Sequence, residues 1–334
     1  MIYESMMVVL APCQPSYDGS SASSTLYFRA RFKACEKPQI GGLFGVPTRL
    51  NTAAPSISFL RKVSGFLWGV RAALSIPFDA ELAIERVTEF LRLYVRASEM
   101  GGVVIGLSGG LDSSVACALA VRALGPSRVH GLIMPDSRVT PIGDVEDAKM
   151  LAEMLGIEYH ITPIDEIYDC FSRVMSFYSE GADIANANLR ARIRMVILYY
   201  YANLKRLLVC GSGDKSEIML GYFTKYGDGA ADILPLGDIY KTQVRRLAKV
   251  LGLPSRIAEK PSSPRLLPGQ LAEEELGAKY DEIDQVLYLH FERGMPLGEV
   301  ARVTGISRDK IRMIVDRVRA NEHKRGLPPI PKIR

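Results

Sequence analysis

The sequence predicts an α/β protein in which helices flank a doubly wound parallel sheet. Runs of strand length rich in apolar or β-branched residues end in polar or glycine-containing turns, at 103–107, 129–134, 158–162 and 207–210. Segments of helical composition separate these runs, and strand–helix alternation at this spacing is typical of βαβ units. Ligands of such sheets bind at the carboxyl ends of the strands, so we expect functional loops there.

The first ordered element is predicted to be a helix from Asp79 to about Ser98. Asp79 can act as the N-cap, because its side chain can accept from a free backbone N–H of the first turn. The apolar residues available for burial on this helix are Leu82, Val87, Phe90, Leu91 and Tyr94.

The first strand, 103–107, is followed by Ser108-Gly109-Gly110-Leu111-Asp112-Ser113-Ser114 and then by a helical segment. Two glycines let successive N–H groups converge, and the helix N-terminus adds its free amides, which together predict an anion site. A carboxylate in such a site would repel the anion unless a divalent cation lies between them, so we interpret Asp112 as a Mg²⁺ ligand. The loop lacks the lysine of a Walker A motif, and its adjacent glycines do not fit G-x-G-x-x-G. An ordinary strand-to-helix turn would explain the two glycines alone.

The stretch 186–204 predicts a long helix carrying several arginines. Asn188 and Arg192 share one face, and Arg190 and Arg194 share another. Solvated arginines on an amphipathic helix are the alternative explanation.

A second loop, Gly211-Ser212-Gly213-Asp214-Lys215-Ser216-Glu217, follows the last strand. Ser212 can hydrogen-bond a nucleotide, and Glu217 can complete the Mg²⁺ site opposite Asp112. Alternatively, Glu217 is an ordinary acidic residue in the first turn of a helix, where the helix dipole favours a negative charge.

The glycine-rich stretch 221–237 fits a loop over a site. Lys241 opens the next helix, where a cation is unfavourable unless it faces an anion such as a phosphate.

Composition limits the function classes. The chain has 334 residues and a net charge of +5, but residues 1–78 hold eight Lys/Arg and three Asp/Glu, so residues 79–334 are balanced. The basic excess is therefore no argument for nucleic-acid binding by the main part of the chain.

Five scattered cysteines without C-x-x-C favour reduced thiols and a cytoplasmic protein. No apolar run is long enough to span a membrane.

Residues 1–77 differ from the rest, with a serine cluster at 16–25 and no lasting hydrophobic period. We expect a disordered extension or translated upstream sequence there, and a catalytic domain at 78–334.

Several motifs, taken together in their order along the chain, resemble one family. They are the 106–113 loop, Asn188-Leu189-Arg190-Ala191-Arg192-Ile193-Arg194-Met195, the 211–217 loop, Gly221-Tyr222-Phe223-Thr224-Lys225-Tyr226-Gly227-Asp228-Gly229, Pro235-Leu236-Gly237-Asp238, Lys241-Thr242-Gln243 and His323-Lys324-Arg325. From about residue 79 to the C-terminus the chain closely resembles ammonia-dependent NAD synthetases of the archaeal-like type, within the N-type ATP pyrophosphatase superfamily. The resemblance implies an adenine nucleotide alpha hydrolase-like fold, a helical C-terminal region and a homodimer with active sites at its interface.

The resemblance also implies a reaction and its residues. Deamido-NAD⁺ is adenylated by ATP, and ammonia then displaces AMP to give NAD⁺. The residues implied to hold ATP are Gly106, Leu107, Ser108, Gly109, Gly110, Leu111, Asp112, Ser113, Ser212, Lys241 and Ser263. Those implied to contact deamido-NAD⁺ are Arg192, Lys225, Asp232, His323 and Lys324. Mg²⁺ is assigned to Asp112 and Glu217, and the catalytic roles fall to Asp112, Lys241 and Asp232.

Two points depart from the family pattern or stay open. The chain has Lys260-Pro261-Ser262-Ser263-Pro264 where family members usually carry Lys-x-Pro-Ser/Thr-Ala, so Ser262 and Ser263 are interchangeable candidates. Glutamine-using synthetases add an amidase domain for which residues 1–77 are too few. We therefore expect free ammonia, or a separate partner, to supply the nitrogen.

Two alternatives compete with this interpretation. The segment 298–311 has a helix-turn-helix pattern with basic residues on its second helix, which suits a nucleotide-sensing DNA-binding regulator. The stripe Ile311, Ile314, Val315 and Val318 equally fits ordinary packing. Another pyrophosphate-loop ligase or thiolase, acting on a GMP precursor or tRNA, is the second alternative.

Overall fold

The computed structural model describes residues 76–333. The expectation of a disordered or upstream segment at 1–77 therefore falls almost entirely outside the described residues. None of the helices in the described part of the chain is long and apolar enough to cross a bilayer.

Four parallel strands form the sheet, β1 (Val103–Gly106), β2 (Val129–Ile133), β3 (Glu158–Ile161) and β4 (Leu208–Val209). Their order is β3-β2-β1-β4, with β1 in the centre, where Val103 pairs with Val129 on one side and Leu208 on the other. The first three residues of β1 are buried, as expected for a strand covered on both faces.

Helices connect and cover these strands. In chain order they are α1 (Ala80–Ala97), α2 (Leu111–Leu124), α3 (Ile142–Leu155), α4 (Asp165–Val174), α5 (Asp183–Lys205), α6 (Lys215–Leu220), α7 (Lys241–Val250), α8 (Ser255–Ala258), α9 (Ala272–Leu276), α10 (Tyr280–Val286), α11 (Leu297–Thr304) and α12 (Arg308–Ala320). A π-helical segment, Leu287–Glu292, extends α10, and short 3₁₀ turns occupy Pro126–Arg128 and Glu322–Lys324.

The two faces of the sheet are covered by different helices, because alternate residues of a strand point to opposite sides. Val103 and Ile105 of β1 pack in one core with α1, α2, α3 and α7. Val104 packs in a second core with α4 and α5. The predicted doubly wound parallel sheet is confirmed.

A third core joins α6 to the helices after residue 271. The apolar stripe of α12, which includes Ile311, Ile314, Val315 and Val318, is buried in it. The predicted helical C-terminal region is confirmed, and the apolar side of the helix-turn-helix pattern is used for packing within the chain.

The buried face of α1 differs in part from the prediction. Asp79 caps the helix as expected and accepts from the N–H of Leu82. Leu91 is buried, but Leu82, Phe90 and Tyr94 are exposed. The face turned to the core instead follows Ile84, Thr88, Leu91 and Val95 at spacings of four, three and four.

Leu91 and Leu93 offer a matched test of this face. Leu91 is 0% exposed and Leu93 is 56% exposed on the same helix. Leu91→Ala should lower the free energy of unfolding by about 2–5 kcal/mol, because it removes buried methyl groups and leaves a cavity. Leu93→Ala should change it by less than about 0.5 kcal/mol. Urea denaturation of both variants measures the difference, and equal losses would contradict the assigned face.

Candidate functional site

A cavity of about 430 Å³ lies at the carboxyl ends of the strands. Its wall is built by the loop after β1, the segment after β2, one side of α5, and the loops at 210–213, 222–230 and 260–266. These segments come from distant parts of the chain and meet because all the strands run in the same direction.

The glycine loop forms one wall of the cavity. Of the predicted loop residues, all except Gly109 line it: Gly106, Leu107, Ser108, Gly110, Leu111, Asp112 and Ser113. Gly109 has a φ of 70°, and a Cβ built there would lie 2.0 Å from the carbonyl oxygen of Asp144. Only glycine therefore fits this position.

The start of α2 leaves donors for an anion. Gly110 is the N-cap of α2, so no side chain caps the first-turn amides. Ser108 and Ser113 hydrogen-bond each other, with 2.9 Å between their Oγ atoms, which fixes the loop before the helix begins. Free first-turn N–H groups and the positive end of the helix dipole together can bind a phosphate.

Three carboxylates from two elements meet beside this loop. They belong to Asp112 of α2 and to Asp214 and Glu217 at the start of α6. One carboxylate oxygen from each residue lies within 4.8 Å of those of the other two. The predicted approach of Asp112 and Glu217 is therefore seen. Asp214 was not predicted to take part, and it also caps α6, where its side chain accepts from the N–H of Glu217.

The ammonium of Lys241 lies among these carboxylates. Its Nζ is 2.7 Å from Asp112 Oδ2, 2.9 Å from Asp214 Oδ2 and 2.8 Å from Glu217 Oε1. The Lys241 side chain is fully buried and is absent from the cavity wall. The sequence predicted an anion facing this lysine, and the anions beside it in the structure are these three carboxylates. Its predicted contact with ATP stays a prediction.

Charges in this cluster do not balance. Burial disfavours the charge on Lys241, but Asp112, Asp214 and Glu217 together raise its pKa well above the usual value. Burial raises the pKa of Glu217, and Asp112 adds to this rise while Lys241 opposes it. When all three carboxyl groups are ionised, the one ammonium leaves an excess of negative charge, which a divalent cation can neutralise.

One oxygen of the cluster supports a cation site directly. Asp112 Oδ1 is buried and accepts no hydrogen bond from the described residues. A buried carboxylate oxygen without a donor is costly, and carboxylate oxygens are the ligands that Mg²⁺ prefers. Asp112, Asp214 and Glu217 can therefore hold a divalent cation at the edge of the cavity.

The loop at 260–266 closes another side of the cavity. Lys260 donates to the carbonyl of Gly109 at 2.7 Å and pairs with Asp144 and Asp147. It thereby ties this loop to the glycine turn, a role that the sequence did not reveal because its partners are more than a hundred positions away.

The two serine candidates differ in the structure. Both Ser262 and Ser263 line the cavity. Ser263 Oγ donates to the carbonyl of Gln270 and accepts from the N–H of Arg265, whereas Ser262 Oγ is buried without a partner among the described residues. Ser262 therefore has the hydroxyl that is free for a ligand. Ser212 also lines the cavity, as predicted.

The residues predicted to contact deamido-NAD⁺ do not all lie at the cavity wall. Lys324 lines the cavity and donates to the carbonyls of Gly221 and Phe223. Arg192, Lys225 and His323 lie outside its wall and are linked to one another: Arg192 donates to the Lys225 carbonyl at 3.2 Å, and Lys225 Nζ donates to the His323 carbonyl at 3.0 Å.

Asp232 lies away from the cavity wall. Its Oδ2 accepts from the N–H of Val209 at 2.7 Å, and its Oδ1 accepts from the Tyr199 hydroxyl at 3.2 Å. The carboxylate of Asp232 thereby joins the end of β4 to α5, and the catalytic and substrate roles predicted for it stay predictions.

Fold and site together define a class of protein. A parallel sheet with an uncapped glycine loop, and an acidic cluster beside it, is the arrangement of α/β enzymes that bind nucleoside phosphates with a divalent metal. The family model described as NAD synthase matches residues 83–328, and the chain belongs to this family.

Similar proteins agree with this family. The chain is 53% identical over 257 residues to the NH(3)-dependent NAD(+) synthetase of Hyperthermus butylicus, covering 77% of this chain and 92% of that protein. It is 49% identical to the NH(3)-dependent NAD(+) synthetase of Archaeoglobus fulgidus over 76% of this chain and 98% of that one.

Solved structures are also similar. The NH3-dependent NAD synthetase from Campylobacter jejuni matches with a TM-score of 0.65 and 32% identity, over 77% of this chain and all of that one. The NMN synthetase from Francisella tularensis matches with a TM-score of 0.68 and 35% identity over the same shares.

Gly109 provides a test of the loop. Gly109→Ala should weaken binding of an ATP analogue by about tenfold or more, because the new Cβ displaces Asp144 and opens the anion site. Gly156→Ala is the control, since Gly156 also has a positive φ but meets only a Pro126 carbon at 4.0 Å. Calorimetric titration measures both affinities, and equal affinities would contradict the described loop geometry.

Proposed function

We propose that the chain is an ammonia-dependent NAD synthetase, which amidates deamido-NAD⁺ with ammonia at the expense of ATP and releases AMP and pyrophosphate. The observation that carries the proposal is the acidic cluster of Asp112, Asp214 and Glu217 beside an uncapped glycine loop, since Asp112 and Glu217 line the same cavity as the loop. The NH(3)-dependent NAD(+) synthetases at about half identity support it.

The cavity supports one arrangement of the nucleotide. The triphosphate lies on the amides of Gly110 to Ser113, and the Ser212 and Ser262 hydroxyls line the same cavity. These donors are fixed before the substrate arrives, so they stabilise negative charge on the transferring and departing phosphates without rearranging. Removal of one such donor typically costs on the order of 3 kcal/mol in the barrier.

The reaction must make a carboxylate reactive, because oxide and hydroxide are poor leaving groups. The nicotinate carboxylate attacks the α-phosphorus of ATP, and the bond to pyrophosphate breaks, leaving an acyl-adenylate. Ammonia then attacks the acyl carbon, AMP leaves, and the amide of NAD⁺ remains. The protein's task is therefore to hold two anions close together and to exclude water from the acyl-adenylate.

Mg²⁺ belongs to this proposal as the cation held by Asp112 and Glu217, with Asp214 as a third carboxylate. When bound it supplies Lewis-acid stabilisation of phosphate charge. Lys241 keeps these carboxylates together. The free thiols of Cys117, Cys170 and Cys210 are compatible with the cytoplasmic setting that we also propose.

We further propose a homodimer in which each protomer contributes to its partner's site. One face of α5 carries Val196, Tyr200 and Leu204 at intervals of four, and these side chains are 60%, 72% and 64% exposed. Arg192 lies one turn earlier on the same face. An exposed apolar stripe of this kind is typical of an interface, and a second copy covering it would bring its substrate next to Arg192.

Two other functions compete. The similarity to an NMN synthetase makes amidation of nicotinic acid mononucleotide the second candidate substrate reaction. A DNA-binding regulator is disfavoured because the NAD synthase family model matches residues 83–328, which include the helix-turn-helix pattern.

The decisive assay combines the protein with ATP, Mg²⁺, ammonium and deamido-NAD⁺. We expect NAD⁺, AMP and pyrophosphate in equal amounts, and a lower kcat/KM with nicotinic acid mononucleotide. Asp112→Asn should lower the rate of pyrophosphate release by about a hundredfold or more, because it removes a charge from the metal site. Asp316→Asn, on the exposed side of α12, is the control.

Two results would contradict these assignments. Absence of NAD⁺ with the wild-type protein would refute the proposed activity. A near-normal rate for Asp112→Asn would refute the metal assignment alone.

Sedimentation velocity tests the dimer. Tyr200→Glu should raise the dimer dissociation constant by about tenfold or more, because a carboxylate would be buried in the interface, and activity should fall with dimer content. Met154→Glu changes an exposed methionine on α3 and should leave both unchanged. A wild-type protein that sediments as a monomer while fully active would rule out the shared site.

A further inference from the structure

Three arginines lie near the end of β2, and two of them are neutralised. Asp136, which is fully buried, accepts from Arg138 Nε at 2.7 Å and from Arg190 Nε at 2.8 Å. Both guanidinium groups also lie over the ring of Tyr168, at 4.4 Å and 4.3 Å from its centroid. These two arginines therefore have structural partners.

Arg194 differs from both. It lines the cavity, and its Nε donates to the carbonyl of Met134 at 2.9 Å. Among residues 76–333 it forms no ion pair, and its two terminal nitrogens donate to no protein acceptor. The hydrogen bond to Met134 fixes the guanidinium plane, while the terminal nitrogens remain available for a ligand.

The acids that line the cavity are used by other groups. Asp112 and Glu217 pair with Lys241, and Asp144 pairs with Lys260 and Arg265. Asp228 accepts from the N–H of Thr224. No carboxylate of the described cavity wall therefore forms an ion pair with Arg194, although Asp228 lies near enough to favour its charge.

Such a cation is costly without a counter-ion. Burial lowers the pKa of Arg194 to about 10, although Asp136 partly opposes this effect. The guanidinium thus stays charged at neutral pH. An unpaired charge at the wall of a cavity is typical of a site that receives an opposite charge from a ligand.

We propose that Arg194 binds a substrate oxyanion in the cavity through its two terminal nitrogens, either a phosphoryl group of ATP or the carboxylate of the nicotinate ring. Both are planar or forked oxyanions that an arginine can bind in a bidentate manner. The identity of the two substrates rests on the proposed function. The assignment adds that Arg194, beside β2, binds a negatively charged group of one of them.

The experiment measures binding of each substrate alone by calorimetric titration. The probes are a non-hydrolysable ATP analogue with Mg²⁺ and, separately, deamido-NAD⁺. Arg194→Gln should weaken binding of one of them by about tenfold or more, since a charge-assisted pair is lost. The probe whose affinity falls identifies the oxyanion that Arg194 binds. Arg173→Gln, an exposed arginine on α4, is the matched control and should leave both affinities unchanged.

A conservative variant protects the test against misfolding. Arg194→Lys keeps the charge but cannot bind Met134 and a forked oxyanion together, so its affinity should fall between those of the wild type and Arg194→Gln. Affinities within twofold of the wild type for both probes in both variants would overturn the proposal. If the wild-type protein made no NAD⁺, the proposed activity would fail, while the ATP arm would still decide the role of Arg194.

Discussion

The contact of one lysine ammonium with three carboxylates is the interaction on which the site depends. Lys241 joins Asp112 of α2 to Asp214 and Glu217 of α6, so three helix starts are held at one point. In the first turn of its own helix, the N–H of Thr242 donates to Asp284. Removal of one member would leave buried charges without partners, which is far more costly than loss of a surface ion pair.

Two further charge networks shape the cavity around this point. Lys260 fastens the loop at 260–266 to the glycine turn through the Gly109 carbonyl and to α3 through Asp144, and Asp136 fastens the end of β2 to α5 through Arg190. Each network joins an irregular segment to a regular element. Loops that would otherwise be mobile are thus given defined positions above a rigid sheet. Binding energy therefore need not be used to order these loops, and it can act on the substrates instead.

Much of the fold was predictable because it depends on local patterns. The four strands were predicted within one or two residues, and the helix predicted to open at Lys241 begins there. The apolar stripe of α12 also followed from its period. The buried face of α1 was predicted only in part, because Leu82, Phe90 and Tyr94 are as apolar as the residues that are buried. Which apolar face meets the core depends on the partner helices, and the sequence of α1 does not contain them.

The parallel α/β sheet, the glycine loop and the acids at its edge could be predicted, because hydrophobic period and glycine spacing are properties of short segments. The partners of the charged side chains could not be predicted in this way, because they depend on how the chain packs. The tertiary structure brought Asp214 into the cluster with Asp112, turned Lys241 towards carboxylates, and left Asp232 outside the cavity. Charged side chains far apart in the chain choose partners by distance in space, and that distance exists only after the sheet and its helices have packed.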